Sequence, residues 1–566
     1  MNKISRTLVV ALSICIFISS TTLSNAASQT SKGQTSKVQQ SSDVETEIRN
    51  VILLIPDGMS TAGTTLARWY NGGMPLALDE MASGLVKTYW AAGPITDSAP
   101  AATAFATGYK STVNYVSVAP EAIEMPFYTP KNEVEAKKPL ATVLEGAKLA
   151  GKSTGLIATS EISHATPASF ASHTSARSEE ENIAEQILYN NVDVVLGGTT
   201  YYMTAENRKD GEDLISVAKA NGYDFVTTPE QMKNSKSNKI WGTFADMDLA
   251  YDFDRTSSVE PSLEQMTNKA ITVLNQNKKG FFLMVEGSKI DWAAHANDPV
   301  GVISDILSFD KAVKTALDFA KKDGHTLVIA CTDHGNGGIS IGSSTTNSDY
   351  SKLGLESFIA PLKKAKLTAE GVAIKIFESD KTNVKEIVSQ YYGISDLTED
   401  ELKQIDAALA KDAEKKITNG KSSGVGVVLA KAMSKRANIG WDTTGHTGED
   451  VTLYTYGPNG QKLTGVVENT QIADYISKYL GINLNDVNKK LYLNTDQAFK
   501  ANGASVTVDA SDSNNPVLIV KKGENTYTFP VNKNIVYANN EKKTLPGITV
   551  LTDRFYVPAA AAELVK

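Results

Sequence analysis

The chain has 566 residues, of which 41% are hydrophobic and 21% charged, as in an ordinary globular protein. A chain of this length exceeds one simple hydrophobic core, so we expect one large domain with additions. The net charge of -8 excludes recognition of nucleic acid, which needs a basic excess, but allows a small anionic substrate that responds to the local field of its site.

The first 26 residues are typical of a signal peptide. Lys3 and Arg6 form a positive start, residues 8–18 are apolar, and small residues reach Ala26. We therefore expect a secreted protein, located outside the cell, at its surface or in the periplasm. The alternative is an uncleaved anchor, but the apolar run is short for a membrane span. Cleavage would leave Cys331 as the only cysteine, which excludes an intrachain disulfide.

The next elements predict an α/β fold. Residues 27–48 are rich in Ser, Gln, Thr and Lys, which indicates a flexible linker. Short apolar runs then predict buried strands, and amphipathic stretches between them predict helices. The strands are expected at 51–55, 154–158, 192–196, 281–285 and 327–330, and the helices at 140–150, 179–189 and 303–321. This alternation predicts a doubly wound, mostly parallel central sheet flanked by helices.

Two regions are predicted to be additions to a catalytic domain at 49–486. Residues 345–435 are Lys-rich and helical in pattern, and they separate two motifs of one expected site, so they should form a cap or lid. From residue 487 to 566, short alternating segments among turn residues predict a small β-rich accessory module.

Acidic residues follow three of the predicted strands. Asp57 follows the first, Glu286 the fourth, and Asp333 with His334 the fifth. Ligands of open α/β sheets bind beyond the carboxyl ends of the strands. One such acidic residue is more often a turn or a helix cap, but three at one edge favour a metal site.

Further histidines differ in their neighbours. Asp291 and His295 are four residues apart, so they share one helical face, as zinc ligands or as a surface pair. His446 stands between glycines that allow close backbone approach. We expect a structural role for His325, which precedes a strand, and a packing role or a place beside the site for His173.

Ser98 is the candidate nucleophile. It follows Asp97 and precedes small helix-forming residues, so it should lie at a helix N-terminus, where an anion is favoured. The alternative is that either residue only caps the helix. No histidine base is evident beside Ser98, so a metal would have to activate it. Arg177 offers a fork that matches two phosphate oxygens, unless it forms a surface ion pair.

Taken together, these motifs resemble those of the alkaline phosphatases, in the order in which that family has them. The resemblance covers about residues 50–480 and is weakest over 345–435. The motifs that carry it are Pro56-Asp57-Gly58, Asp97-Ser98-Ala99, His164-Ala165-Thr166-Pro167, Glu286-Gly287, Asp291-x-x-x-His295, Thr332-Asp333-His334 and His446-Thr447-Gly448-Glu449-Asp450.

The resemblance implies the roles of individual residues. The first zinc would be held by Asp291, His295 and His446, the second by Asp57, Asp333 and His334, and a magnesium, replaceable by cobalt or zinc, by Asp57, Thr166 and Glu286. Ser98 would become phosphorylated and Arg177 would hold the phosphate. His164 and Trp292 stand where some members have Asp and Lys, so together with Asp97 they are expected beside the substrate and the metals.

The implied activity is hydrolysis of small phosphate monoesters through a phosphoserine, with phosphate scavenging as the natural role. Family members are usually homodimers, and the helical insertion could build or block that interface. The C-terminal module could contact the cell surface or wall. The alternatives are a phosphodiesterase or sulfatase of the same fold, and a non-catalytic surface protein. A sulfatase would need an arginine shortly after its nucleophile, and a non-catalytic protein should have lost ligands.

Overall fold

A computed structural model describes residues 47–417 and 420–565, so the predicted signal peptide and almost all of the predicted linker lie outside the described residues. The strands are β1 Asn50–Ile55, β2 Ala82–Lys87, β3 Ser153–Glu161, β4 Val194–Gly198, β5 Asp224–Val226, β6 Ile240–Thr243, β7 Phe281–Glu286, β8 Thr326–Cys331, β9 Gly335–Asn336, β10 Ser340–Ile341, β11 Ile439–Gly440, β12 His446–Thr447, β13 Val451–Tyr456, β14 Gly465–Glu468, β15 Leu493–Asn494, β16 Ser505–Asp509, β17 Val517–Lys522, β18 Asn525–Pro530, β19 Ile535–Ala538, β20 Glu541–Thr544, β21 Val550–Leu551 and β22 Phe555–Val557. The α-helices are α1 Thr61–Tyr70, α2 Ser98–Thr107, α3 Val143–Leu149, α4 Ala165–Ala171, α5 Glu180–Tyr189, α6 Leu214–Ala220, α7 Pro229–Asn234, α8 Leu263–Leu274, α9 Lys289–His295, α10 Pro299–Asp323, α11 Glu356–Lys363, α12 Ala369–Glu378, α13 Val384–Ile387, α14 Glu399–Glu414, α15 Gly424–Arg436, α16 Thr470–Leu480, α17 Leu484–Leu491, α18 Thr495–Phe499 and α19 Ala559–Leu564.

A ten-stranded sheet forms the centre of the fold, in the order β14-β2-β13-β8-β1-β7-β3-β4-β6-β5. Neighbouring strands are parallel except for β13, which is antiparallel to both β2 and β8. The predicted fold class, a mostly parallel sheet flanked by helices, is confirmed, and all five predicted strands belong to this sheet.

Strand β1 shows why the sequences of these strands are continuous apolar runs. Val51, Leu53 and Ile55 contribute to one hydrophobic core, and Ile52 and Leu54 to another. All five are fully buried, because side chains alternate between the two faces and helices cover both of them. The site-bearing strands are therefore held from both sides.

The longest helix, α10, extends beyond its predicted range of 303–321 at both ends. Asp298 accepts a hydrogen bond from the amide of Val300, and Pro299 occupies the first turn, which favours this start. Gly324 ends the helix in a left-handed conformation. The apolar pattern alone therefore located the middle of the helix but not its capped ends.

The predicted insertion is helical, since α11 to α15 lie within or across residues 345–435. It has its own core, which includes Val372, Ile376 and Leu429, and which continues onto Leu66 of α1 and Ile303 of α10. The insertion is thus attached to the outer helices of the central domain. Its role as a cap or lid stays a prediction.

The C-terminal region contains a five-stranded antiparallel sheet, β16 to β20, and a three-stranded sheet of β15, β22 and β21. It also contains helices α17, α18 and α19 beside these sheets, and the predicted β-rich character of the region is confirmed. Asn483 starts α17 by accepting hydrogen bonds from the amides of Asn485 and Asp486, and that helix crosses the predicted boundary.

The C-terminal region also completes a buried polar cluster of the central domain. The hydroxyl of Tyr492 donates to Oε1 of Glu145 and lies at the same 2.5 Å from Nε2 of His173. All three side chains are buried. The structure therefore places His173 in packing contact with residues 483–566. Nδ1 of His325 donates to the carbonyl of Glu47, next to β8.

We predict that Tyr492→Phe destabilises the protein, because Glu145 and His173 would keep their burial and lose the hydroxyl between them. Glu145 and His173 keep their 3.1 Å contact with each other, so the expected cost is that of one hydrogen bond to a buried charged group, about 1.5–3 kcal/mol. Urea unfolding followed by tryptophan fluorescence measures the loss. Tyr537→Phe, at a more exposed tyrosine of the same region, is the matched control and should change the free energy of unfolding little. An equal effect of both substitutions would contradict the prediction.

Candidate active site

Three adjacent parallel strands bring the predicted acidic residues to one edge of the sheet. β1 pairs with β7 on one side and β8 on the other, with Ile55 opposite Glu286 and Leu54 opposite Ala330. Asp57, Glu286 and Asp333 follow at the carboxyl ends of these strands, and each is fully buried. The strand-end pattern therefore converges in space as predicted.

Asp57, Asp333 and His334 form one group whose candidate ligand atoms all lie within 4.8 Å of one another. Nε2 of His334 is 3.2 Å from Oδ2 of Asp333 and 3.6 Å from Oδ1 of Asp57. Burial raises the pKa of Asp57, and the neighbouring Asp333 raises it further. Such a group is stable in its charged form only with a cation.

Asp291, His295 and His446 form a second group of the same kind. Helix α9 places Nε2 of His295 at 3.3 Å from Oδ2 of Asp291, and Nε2 of His446 lies 3.7 Å from Oδ1. The Nδ1 atoms of the two histidines face the carbonyls of Thr444 and Thr96, at 2.6 and 2.9 Å. Carbonyls accept hydrogen bonds, so Nδ1 carries the proton and each Nε2 presents a lone pair to the centre of the group.

The two groups are neighbours. The imidazole rings of His334 and His446 stack with their centres 3.6 Å apart. Gly58 has a positive φ, and a Cβ there would come within 2.6 Å of Oδ1 of Asp291. The close packing of the two groups therefore requires glycine at this position.

Thr166 and Glu286 extend the buried acidic region around Asp57. Oγ1 of Thr166 is 3.5 Å from Oδ2 of Asp57. Burial raises the pKa of Glu286 to about 8, and Asp333 acts in the same direction. Within residues 47–417 and 420–565, neither carboxylate oxygen of Glu286 has a hydrogen-bond partner. These residues could hold a third cation through oxygen ligands.

Ser98 begins α2 and is 2% exposed. Its Oγ lies 3.2 Å from Nε2 of His334, a contact that the residues next to Ser98 in the sequence did not indicate. The two residues are 236 positions apart in sequence, and only the fold brings them together. His334 also contacts Asp333 and Asp57 through the same nitrogen, so that nitrogen is a candidate metal ligand rather than a dedicated base.

Arg177 contacts Asp97, the residue before Ser98, and is held by two side chains. Its Nη1 donates to Oδ1 of Asp97 at 2.6 Å, and its Nη2 is 2.8 Å from Nε2 of His164. Burial would raise the pKa of Asp97, but the charge of Arg177 outweighs it and lowers the pKa. Asp97 makes no side-chain cap on α2; instead it orients the guanidinium toward the helix N-terminus.

His164 and Trp292 pack together edge to face, with ring centres 5.8 Å apart. Burial, with the charge of Arg177, lowers the pKa of His164 to about 3, so this imidazole is neutral and can accept from Arg177. The structure thus brings every predicted site residue to one region. These residues are Asp57, Asp97, Ser98, His164, Thr166, Arg177, Glu286, Asp291, Trp292, His295, Asp333, His334 and His446.

Two side chains of the site were not predicted from the sequence. Nδ2 of Asn336 donates to Oδ1 of Asp291 at 2.6 Å and orients it. Nζ of Lys289 lies 4.3 Å over the ring of Trp292. Two signals in the sequence could have indicated these side chains. Asn336 stands two residues after His334, and Lys289 stands one helical turn before Trp292.

The donor sets fit the metals that the resemblance implies. Two groups of aspartate and histidine suit zinc, and an oxygen set with Thr166 and Glu286 suits magnesium. In the described part of the chain, Oδ1 of Asp57 and Oδ2 of Asp333 also lack hydrogen-bond partners, as expected of side chains that bind cations. A further acidic group differs, because Lys533 and Arg208 neutralise it; its members are Glu185, Asp210 and Glu212.

Among the helices that the structure describes, none combines the length and the apolar character needed to cross a membrane.

Comparison with known proteins gives one consistent result. The family model "Alkaline phosphatase" matches residues 48–482. Alkaline phosphatase 4 of Bacillus subtilis is 41% identical, over 79% of this chain and 92% of the relative. The Thermus thermophilus alkaline phosphatase structure has a TM-score of 0.67 and 30% identity, and covers 78% of this chain and 92% of its own. A structure of a TAB5 alkaline phosphatase mutant, with Mg bound in its M3 site, has a TM-score of 0.54 and 27% identity. The match covers 77% of this chain and 99% of the mutant's chain.

Proposed function

This chain belongs to the alkaline phosphatase family, and we propose that it hydrolyses phosphate monoesters through a phosphoserine at Ser98, in a site of two zinc ions and one magnesium ion. The phosphatase activity follows from the family. The observation that supports the finer proposal is the position of the Ser98 hydroxyl, 3.2 Å from His334, next to two groups of aspartate and histidine.

Ser98 and Arg177 supply the binding and the attack. The first-turn amides and the dipole of the ten-residue helix α2 favour an anion at Ser98. Arg177, fixed by Asp97 and His164, can hold two phosphoryl oxygens with its planar fork. Oγ of Ser98 then attacks phosphorus along the line of the bond that breaks.

The two steps balance without a further reactant. In the first, the bond from Oγ of Ser98 to phosphorus forms, the bond to the alcohol oxygen breaks, and the alcohol leaves with a proton. In the second, water forms a bond to phosphorus, Oγ leaves, and inorganic phosphate is released. Bound zinc would lower the pKa of the attacking hydroxyl and stabilise the charge on the leaving oxygen.

The metals are assigned by donor set. Asp291, His295 and His446 hold one zinc; Asp57, Asp333 and His334 hold the other. Asp57, Thr166 and Glu286 hold magnesium, which cobalt or zinc could replace. The Mg bound in the M3 site of the TAB5 mutant supports a third site in this family.

We also propose export from the cell, a role in phosphate scavenging, a homodimer, and contact with the cell surface or wall through residues 487–566. The pattern of residues 1–26 supports export. The breadth of substrates that metal-assisted departure of the alcohol allows supports phosphate scavenging. The additional region beyond the family match supports the surface contact.

The rival activity is phosphodiester hydrolysis, and a direct comparison tests the proposal. We expect p-nitrophenyl phosphate to be hydrolysed far faster than bis-p-nitrophenyl phosphate, because a monoester has one more unesterified oxygen and one more negative charge than a diester for Arg177 and the proposed cations to hold. Acid quenching during turnover, followed by peptide mapping, should find phosphate on Ser98. Faster diester turnover, or phosphate on another residue alone, would overturn the proposal.

A further inference from the structure

A cavity of about 300 Å³ lies between the active site and the helical insertion. Tyr251, Trp292 and His295 line it from the central domain, and Glu370 of α12 and Val427 of α15 from the insertion. Its volume is at the lower end of the range for small-molecule sites. Neither the family resemblance nor the metal assignment gives this cavity a role.

The cavity begins at a proposed zinc ligand. His295 lines it and also belongs to the group with Asp291 and His446. Ser98 contacts the other group, through His334, whose ring stacks on that of His446. In an in-line displacement the leaving oxygen is opposite the attacking one, so an alcohol that departs from phosphorus emerges on the His295 side.

We propose that this cavity binds the alcohol portion of the substrate and that Glu370 selects against anionic alcohols. The inference rests on the proposed function, since it assigns a binding place to the alcohol end of the same substrate. It also gives the insertion a role, because one wall of the cavity comes from α12 and α15.

Two aromatic rings of the cavity wall pack on one lysine side chain. Nζ of Lys289 lies 4.3 Å from the ring centre of Trp292 and 4.4 Å from that of Tyr251. The same ammonium donates to Oδ2 of Asp248 at 2.6 Å, and Lys421 also contacts that carboxylate. Lys289 therefore positions both rings, and Asp248 offsets part of the charge of the two ammonium groups that share it. The two rings offer a ligand an apolar surface.

The other polar groups that line the cavity differ in whether their hydrogen-bonding atoms are already occupied. Asp298 accepts hydrogen bonds from Val300, Ala369 and Tyr392, so its oxygens are occupied. Ser423 is buried and donates to Asp412.

Glu370 is half-buried, and one of its oxygens accepts from the amide of Ser422 at 3.0 Å. Glu370 thus supplies a carboxylate to the residues that line the cavity, and its charge also acts on Lys289. It favours a neutral or cationic alcohol and repels an anionic one.

The charge of Glu370 is tested with two substrates of opposite leaving-group charge. For Glu370→Lys, we expect the ratio of kcat/KM for phosphoethanolamine to kcat/KM for phosphoglycolate to fall by about tenfold, as reversal of one near-surface charge implies. Glu386→Lys, an exposed site of the same insertion away from the cavity, is the matched control and should keep the wild-type ratio.

The shape of the cavity is tested separately. Val427→Trp should fill it, so the ratio of kcat/KM for p-nitrophenyl phosphate to kcat/KM for methyl phosphate should fall relative to the wild type. The inhibition constant of inorganic phosphate, which has no alcohol portion, should stay unchanged in all variants.

Unchanged substrate ratios in both Glu370→Lys and Val427→Trp would overturn the inference, as would an equal shift in Glu386→Lys. Failure of the proposed function has a different signature, which is that the wild-type protein with bound metals hydrolyses none of these monoesters.

Discussion

Replacement of Ser98 by alanine is expected to lower kcat for p-nitrophenyl phosphate by at least about a thousandfold, because loss of a nucleophile removes the covalent route. Ser98 is 2% exposed and its hydroxyl lies next to His334, so the nucleophile is held in place beside a candidate metal ligand. Alanine is also tolerated at the start of α2, since the helix continues with alanines.

Two measurements separate this loss from misfolding. The Ser98→Ala protein should keep the wild-type metal content and Tm, because the residue is not among the metal-holding side chains. Ser389→Ala, at an exposed serine of the insertion, should keep full activity. Wild-type turnover in Ser98→Ala would rule out the proposed mechanism.

Removal of the metals by EDTA is expected to abolish activity and to lower Tm. Asp57, Glu286 and Asp333 are fully buried and close together, and without a cation their charges repel one another in a medium of low dielectric. Any metal that binds only the folded state stabilises it, by about 4 kcal/mol per site when free metal is a thousand times its Kd. Several sites together make this the largest stability change that we predict.

The loss of stability should depend on pH in a defined direction. Burial and Asp333 raise the pKa of Asp57 and of Glu286, the latter to about 8. A carboxyl group with a raised folded pKa binds more protons in the folded than in the unfolded state, so stability falls as pH rises from about 4.5 to about 8. Asp291 has a lowered pKa despite its burial, because the neighbouring histidines outweigh desolvation, and its contribution is lost only at lower pH.

Differential scanning calorimetry at about pH 5.5 and about pH 8 checks this window. We expect the Tm difference between metal-loaded and EDTA-treated protein to be larger at the higher pH. Return of activity and Tm on addition of zinc and magnesium is the control for irreversible damage. Full activity after the metals have been removed, with metal content verified, would contradict the metal assignment.

The sequence by itself determined the fold class, and it indicated the residues that the structure brings together at one edge of the sheet. The strands are buried on both faces, so their apolar runs stand out, and strand-end residues such as Asp57 and Asp333 must then meet at one edge. Local patterns also located Ser98 at a helix start. The ends of α10 and the helices of the C-terminal region were less predictable, because caps and tertiary packing decide them.

Only the tertiary structure decided which side chains act on one another across long distances in the chain. Three sets of contacts join residues far apart in sequence. Ser98 contacts His334, Asp97 and His164 hold Arg177, and Tyr492 contacts Glu145 and His173. Such contacts depend on how helices pack against the sheet, and the spacing of residues along the chain does not predict that packing. The cavity beside His295 exists for the same reason, since separate parts of the chain form its walls.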